Sequence, residues 1–334
     1  MSVSGYALTM AQLYEGRWLD TAPAAEEIGA DGRFRRIDSP LRDWISPDPG
    51  AAFPAETGRY HLWVAAVCPW AARTTAFRVL KGLEDAISIS WARPGLPKEG
   101  WVFDEGPDGP VEGGYPLHRL YVEHDPRFTG KVTVPTLWDK QARRIVNNES
   151  SEIIRMLNSA FVGVTGNRLD FYPEPLRAEI EQWNALIYPT LNNGVYRTGF
   201  ASTQHAYDEA VGEVFATLDA MEEHLSRNRY LAGEWLTEAD WRAFTTLVRF
   251  DVGYHYAFKC NVRKVDDYPA LRGYLRELYQ WPGIAGTVDL ELIKFGYWFL
   301  SDRHHVVARG PEIDLTTPHG REHLPARGVM QRTA

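Results

Sequence analysis

From Arg59 onward the chain alternates short apolar blocks with stretches of helical spacing. Residues 60–67 are almost wholly apolar and predict a buried strand. Over 70–83, Ala72, Ala76, Val79, Leu80 and Leu83 recur on one side of a helix, and 86–91 predicts a further strand. Strand, helix and strand in that order make a βαβ unit. Residues 134–138 and 144–146 predict a strand pair turned at 139–142. A helix is predicted at 151–158, with Ile153, Ile154 and Leu157 as its apolar face. From Pro173 the period is helical almost throughout, predicting helices at 176–191, 205–226, 238–251, 269–279 and 290–299. Thr237-Glu238-Ala239-Asp240 before Trp241 is a capping box: Thr237 can accept from the Asp240 N–H while Asp240 reaches back.

The order βαβ then ββα is that of a thioredoxin-like fold. A Val134-Pro135 strand start opposite a cysteine-bearing helix is part of its pattern, and an X-Pro bond there is a candidate for the cis form. The expected fold class is therefore α/β plus all-α, an N-terminal thioredoxin-like domain followed by a C-terminal helical domain. Residues 1–58, rich in Pro, Gly, Asp and Arg, read as an extended arm. Residues 59–160 read as the thioredoxin-like domain with a loop-rich insertion at 92–130. Residues 173–300 read as the all-helical domain, and 301–334 as a tail along the surface or a partner subunit.

Composition narrows the classes. At 334 residues the chain is long enough for two full cores. A net charge of −8 argues against nucleic-acid binding, which needs clustered Lys and Arg. No apolar run approaches the roughly 20 residues of a membrane span. Residues 1–19 lack a basic segment followed by an apolar core, so no secretory signal is expected. Two cysteines make no disulfide framework and suit a reducing compartment. A soluble, cytoplasmic protein is expected. The aromatic content of 13%, with 12 Trp and 16 Tyr, fits either core and interface packing or a pocket for a flat ligand.

The candidate chemistry centres on Val67-Cys68-Pro69-Trp70-Ala71. Pro69 suits a first helical turn, so Cys68 falls at the junction of strand and helix N-terminus. Unpaired N–H groups and the helix dipole there favour a thiolate, and such cysteines have pKa values lowered from about 8.5 to roughly 3.5–7.5. On the motif alone a buried structural cysteine is the other reading. A dithiol oxidoreductase would carry its second cysteine at position 71, which is Ala71, and Cys260 is far along the chain. A lone nucleophilic thiol takes its second thiol from elsewhere, most simply from a small soluble thiol such as glutathione. The histidines show no ligand spacing with Cys68, so no metal is expected.

A set of segments then resembles one family. Gly58-Arg59-Tyr60-His61-Leu62, Cys68-Pro69-Trp70-Ala71, Val132-Thr133-Val134-Pro135, Val146 to Arg155, Leu236 to Trp241 and Phe258-Lys259-Cys260-Asn261 are similar to the Xi-class glutathione transferases, the glutathionyl-hydroquinone reductases. The resemblance runs from about residue 35 to residue 300. It implies that Cys68 is the nucleophile and that glutathione is bound by Trp101, by Lys131, Val132, Thr133 and Val134, and by Glu149 with Ser150. Physical reasons accompany these assignments. The Val134 main chain can pair like a strand with the cysteinyl part of glutathione. Helix N-terminal donors at Glu149 and Ser150 suit the γ-glutamyl carboxylate, although plain N-capping also explains that pair. Glu149 can hold the ammonium group, Lys131 a carboxylate, and Trp101 can cover the peptide.

The resemblance also implies that Tyr196 donates or accepts a proton, while Tyr254 and Tyr297 line the site and help lower the cysteine pKa. On sequence alone the ordinary reading of each of these tyrosines is a packing residue. Several positions depart from the family: Ala72 stands where a His is common, 92–100 differ before Trp101, and neighbours of Tyr297 are changed. These departures bear on acceptor specificity. The implied function is glutathione-dependent reduction of glutathionyl-hydroquinones to hydroquinones, with release of oxidised glutathione. The alternatives are an Omega-like thioltransferase or dehydroascorbate reductase, and a non-catalytic binder of aromatic ligands. A homodimer is expected from the aromatic content and the long irregular segments, with part of the insertion 92–130, the arm or the tail in its interface.

Overall fold

The computed structural model describes residues 12–19, 27–95, 97–301 and 306–333. They fall into two compact units. One is built on Ile37–Asn167, and the other on Arg168–Tyr297 with the tail from Ala308 and residues 27–36.

The first unit holds a four-stranded sheet made of β1 (Tyr60–Val64), β2 (Ile87–Trp91), β3 (Thr136–Asp139) and β4 (Arg144–Asn147). The strand order is β2-β1-β3-β4. The β1–β2 pair is parallel, from Tyr60 opposite Ile87 to Val64 opposite Trp91, while β3 and β4 are antiparallel additions. This is the expected βαβ–ββα sheet. Helices α1 (Pro69–Leu80) and α2 (Ser150–Ser159) pack together, with Leu62, Phe77, Leu137, Ile153 and Leu157 fully buried in the core.

Two boundaries move from expectation for physical reasons. Strand β1 stops at Val64 because Ala65 to Cys68 close a turn, the Cys68 N–H donating to the Ala65 carbonyl at 3.1 Å. Helix α1 stops at Leu80 because Gly82, at φ 61°, forms a left-handed cap. The Leu83 and Gly82 N–H groups then donate back to the carbonyls of Arg78 and Val79. The buried face of α1 is also rotated from the one expected. Arg73, Ala76, Phe77 and Leu80 are buried, whereas Ala72 and Val79 are half-buried.

The insertion contains an antiparallel hairpin, Val102–Gly106 with Gly109–Pro116, and a short helix, His118–His124. Its Gly and Pro content hid both. Residues 12–19 of the arm form a hairpin, turned at Glu15 and Gly16 with positive φ, whose first strand pairs with Gly130–Lys131.

The second unit is helical: α3 (Arg177–Ile187), α4 (Gly194–Phe200), α5 (Gln204–Leu225), α6 (Glu238–Arg249), α7 (Pro269–Tyr279) and α8 (Leu290–Ser301). All twelve residues of α6 are buried. Single π-turns, Tyr188–Asn192 and Phe250–Tyr254, follow α3 and α6. Helix α4 was missed because Asn192-Asn193-Gly194 reads as a break. The tail is mostly exposed and is anchored to the helical unit. The Arg321 guanidinium, 4% exposed, donates to Glu277 and to the carbonyls of Leu225, Asn228, Arg229 and Ala270, and Met330–Gln331 pairs with Leu169–Asp170. Among the described residues no helix is long and apolar enough to cross a membrane.

The capping box at α6 carries a titration. The buried Asp240 carboxylate accepts from the N–H groups of Leu231 and Thr237, the Thr237 hydroxyl and the Tyr274 phenol. Burial outweighs these bonds and pushes its pKa up to about 6. Between about 4 and 6 the folded protein keeps a proton that the unfolded chain has lost, so this contribution to stability is lost as pH rises. Asp240→Asn removes that titration. The stability gap between the protein and this variant should shrink by on the order of 3 kcal/mol from pH 4 to pH 7. Urea unfolding across that range checks it; a gap independent of pH would show that Asp240 is charged throughout.

Candidate active site

The turn at Ala65–Cys68 delivers Cys68 to the N-cap of α1 with extended backbone, φ −79° and ψ 118°. Its Sγ accepts from the Ala71 N–H at 3.5 Å and lies 3.3 Å from the Val134 carbonyl, to which the thiol donates. An amide aimed at the sulfur, together with the helix dipole, favours the thiolate at this position. Pro69 occupies the first helical position, as the sequence required. The Val134–Pro135 bond is cis.

Residues 132–134 lie between strands, and their framework is internal. The Thr133 N–H donates to the Tyr121 hydroxyl at 3.3 Å. Thr133 Oγ1 accepts from Asn148 Nδ2 at 3.1 Å, and Asn148 also donates to the Tyr121 hydroxyl at 2.9 Å. Val132 and Val134 are buried, Thr133 half-buried. Asn148 and Tyr121 were not anticipated as supports; only their place beside the Val132–Pro135 and Glu149–Ser150 segments could have hinted at them.

Glu149 is the N-cap of α2: its carboxylate accepts from the Ser151 N–H at 2.9 Å and the Ser151 hydroxyl at 2.8 Å. Ser150, 3% exposed, accepts at Oγ from Arg73 Nη1 at 3.3 Å. Glu149 therefore caps α2, which is the plain N-capping reading of that pair. Lys131 sits on the two-residue strand that joins the arm. Trp101 stands at the base of the insertion hairpin, half-buried, its carbonyl accepting from the Leu117 N–H at 2.8 Å.

In the helical unit the three tyrosines form one chain. The hydroxyls of Tyr196 and Tyr297 are 3.0 Å apart, and Tyr297 donates to Tyr254 at 3.2 Å. Tyr196 sits on α4, Tyr254 ends the second π-turn and Tyr297 lies on α8. Phe258 packs against all three rings, stacked on Tyr254 with 5.4 Å between centroids. The Arg36 guanidinium lies 5.1 Å from the centroid of Tyr196 and bonds Asn193 Oδ1 through Nε at 3.1 Å. Burial, then the neighbouring phenols, hold Tyr254 and Tyr297 well above the usual tyrosine range. Such phenols stay neutral and serve as hydrogen-bond donors. The π-turns fit this placement, since π-bulges recur at functional sites.

Cys260 is different. It is fully buried, neither thiol is in a disulfide, and burial pushes its pKa up. The raised value makes it a poor nucleophile.

Comparison with known proteins agrees with this geometry. The family described as glutathione S-transferase, N-terminal domain, matches residues 67–160, and the C-terminal domain family matches residues 204–277. Glutathionyl-hydroquinone reductase YqjG of Escherichia coli (strain K12) is 46% identical over 330 residues, covering 94% of this chain and 99% of that one. The solved Xi-class glutathione transferase from Natrialba magadii superposes with a TM-score of 0.85 at 43% identity, covering 95% of this chain and 98% of the other. The glutathione-bound structure of YqjG gives a TM-score of 0.81 at 43% identity, with 93% and 98% covered. A nucleophile-type cysteine at a helix N-cap and likeness along nearly the whole chain lead to one assignment: the chain belongs to the Xi class of glutathione transferases, the glutathionyl-hydroquinone reductase family.

Proposed function

We propose that this protein reduces glutathionyl-hydroquinones to hydroquinones with glutathione as co-substrate. The observation that carries the reading is the Cys68 sulfur at the α1 N-cap, facing the Ala71 N–H. The thiolate attacks the glutathione sulfur of the conjugate. The carbon–sulfur bond breaks, its electron pair goes to the ring carbon, and that carbon takes a proton. Hydroquinone leaves, and Cys68 is joined to glutathione as a mixed disulfide. A second glutathione thiolate attacks the glutathione sulfur, releasing oxidised glutathione and the Cys68 thiolate. In this reading Tyr196 supplies the ring proton, and Tyr254 and Tyr297 hold its hydroxyl through the chain of phenols. Glutathione rests on Val134, on the Glu149–Ser150 helix end and on Lys131, with Val132, Thr133 and Trp101 framing it. A cytoplasmic setting fits two cysteines that form no disulfide with each other. We also infer a homodimer, supported by Trp44 and Trp91, which are 44% and 42% exposed on the first unit. Sedimentation at micromolar concentration should give twice the chain mass; a monomer there contradicts it.

Turnover of glutathionyl-menadiol, a hydroquinone conjugate, compared with dehydroascorbate and with a small glutathione mixed disulfide, tests the function. The conjugate should be preferred. Preference for dehydroascorbate would indicate the Omega-like activity, and no turnover of any would indicate a binder. Cys68→Ala should abolish the activity, while Cys260→Ser, at the buried thiol, should leave the kinetics within about twofold of the parent, the range of a neutral substitution. A comparable loss in both variants would mean a functional pair of cysteines.

Tyr196→Phe should lower turnover of aromatic conjugates by about 10²–10⁴-fold, the range for lost acid–base assistance. It should barely change reduction of a small mixed disulfide, whose thiolate leaves without a carbon protonation. Equal loss on both substrates would make Tyr196 a packing residue.

A further inference from the structure

Arg73 is a charged residue in a place that normally excludes one. It lies on the face of α1 directed into the first unit, between Thr74, Ala76 and Phe77, and is 1% exposed. A guanidinium is retained in such a position only where its hydrogen bonds and stacking compensate its removal from water. Two of those interactions lead to the site. Arg73 Nη1 donates to Ser150 Oγ at 3.3 Å, and the guanidinium carbon stands 4.6 Å from the centroid of the Trp70 ring. Trp70 is two residues from Cys68, and Ser150 is the first residue of α2. One planar group therefore touches both the helix start that carries the thiol and the helix start that faces the expected glutamyl carboxylate.

From this we propose that Arg73 is a positioning residue for glutathione, fixing the separation of the two helix ends and the direction of the Ser150 hydroxyl. The inference rests on the reading of Ser150 as a contact to glutathione. A serine hydroxyl has one proton and two lone pairs. With a lone pair held by Arg73, the Ser150 proton is directed away from the guanidinium, toward the anion at the end of α2. The same clamp sets where the tripeptide's sulfur arrives relative to Cys68, because one end of glutathione is fixed on α2 and the other reacts on α1. Lysine does not reproduce it, since an ammonium group has neither the planar fork nor the stacking surface of the guanidinium.

The test is a double-mutant cycle with glutathione as the varied substrate. Ser150→Ala should raise the KM for glutathione about 10-fold, the size expected for a hydrogen bond to a charged group. Arg73→Met should raise it by a similar factor, with kcat at saturating glutathione falling much less. Arg73→Lys should give an intermediate rise. Combined with Ser150→Ala, neither Arg73 variant should add a further increase, because the arginine acts through the serine. Arg73→Lys keeps the test decisive where Arg73→Met fails to fold, and thermal unfolding of each variant separates stability from affinity. A rise in KM for Ser150→Ala that multiplies with that of Arg73→Lys, or that leaves Arg73→Lys at the parent value, overturns the positioning role alone. An unchanged KM for Ser150→Ala overturns the glutathione reading of Ser150, and the inference with it.

Discussion

The amide of Ala71 pointing at the sulfur of Cys68 is the interaction on which the rest of the thiol site depends. It exists only because a tight turn ends β1 three residues before the apolar run ends, so that Cys68 becomes an N-cap rather than the last residue of a strand. Pro69 then starts the helix without a missing hydrogen bond, and the Schellman cap at Gly82 stops it, setting its length. The Val134 carbonyl meets the sulfur from the opposite segment, so two elements distant in sequence fix one atom.

Desolvation divides the reactive groups of this chain into those that can ionise and those that stay neutral. At Cys260 burial outweighs the hydrogen bond from Thr198, and its thiol is held protonated. The same burial holds Tyr254 and Tyr297 neutral, and a neutral hydroxyl donates, as Tyr297 does to Tyr254. One physical cause thus silences a thiol and equips a phenol as a donor.

Much of this was legible in the chain. Apolar blocks and helical spacing gave the sheet and seven of the eight numbered helices to within a few residues, and the spacing of Cys68, Pro69 and the following apolar positions located the thiol. What stayed hidden has specific reasons. Helix α4, which carries Tyr196, begins after Asn193 and was masked by turn-forming residues. The insertion hairpin is built with left-handed glycines such as Gly113 and Gly114, and local propensity marked it as loop. Arg73 and Arg321 are buried charges, and a pattern that sorts charged residues to the surface misplaces both. The tyrosine chain joins residues 43 and 101 positions apart, a closeness that no local pattern carries.

The central claim is that Cys68 itself takes glutathione from the conjugate. It is tested most directly by mixing the protein, without oxygen, with one equivalent of glutathionyl-menadiol, the hydroquinone conjugate, in the absence of free glutathione. The reaction is quenched in acid, and intact mass and peptide mapping are read against the hydroquinone formed. The account predicts one glutathione on Cys68 for each hydroquinone released and none on Cys260. Hydroquinone released without an adduct on Cys68, or release only once free glutathione is added, would contradict it.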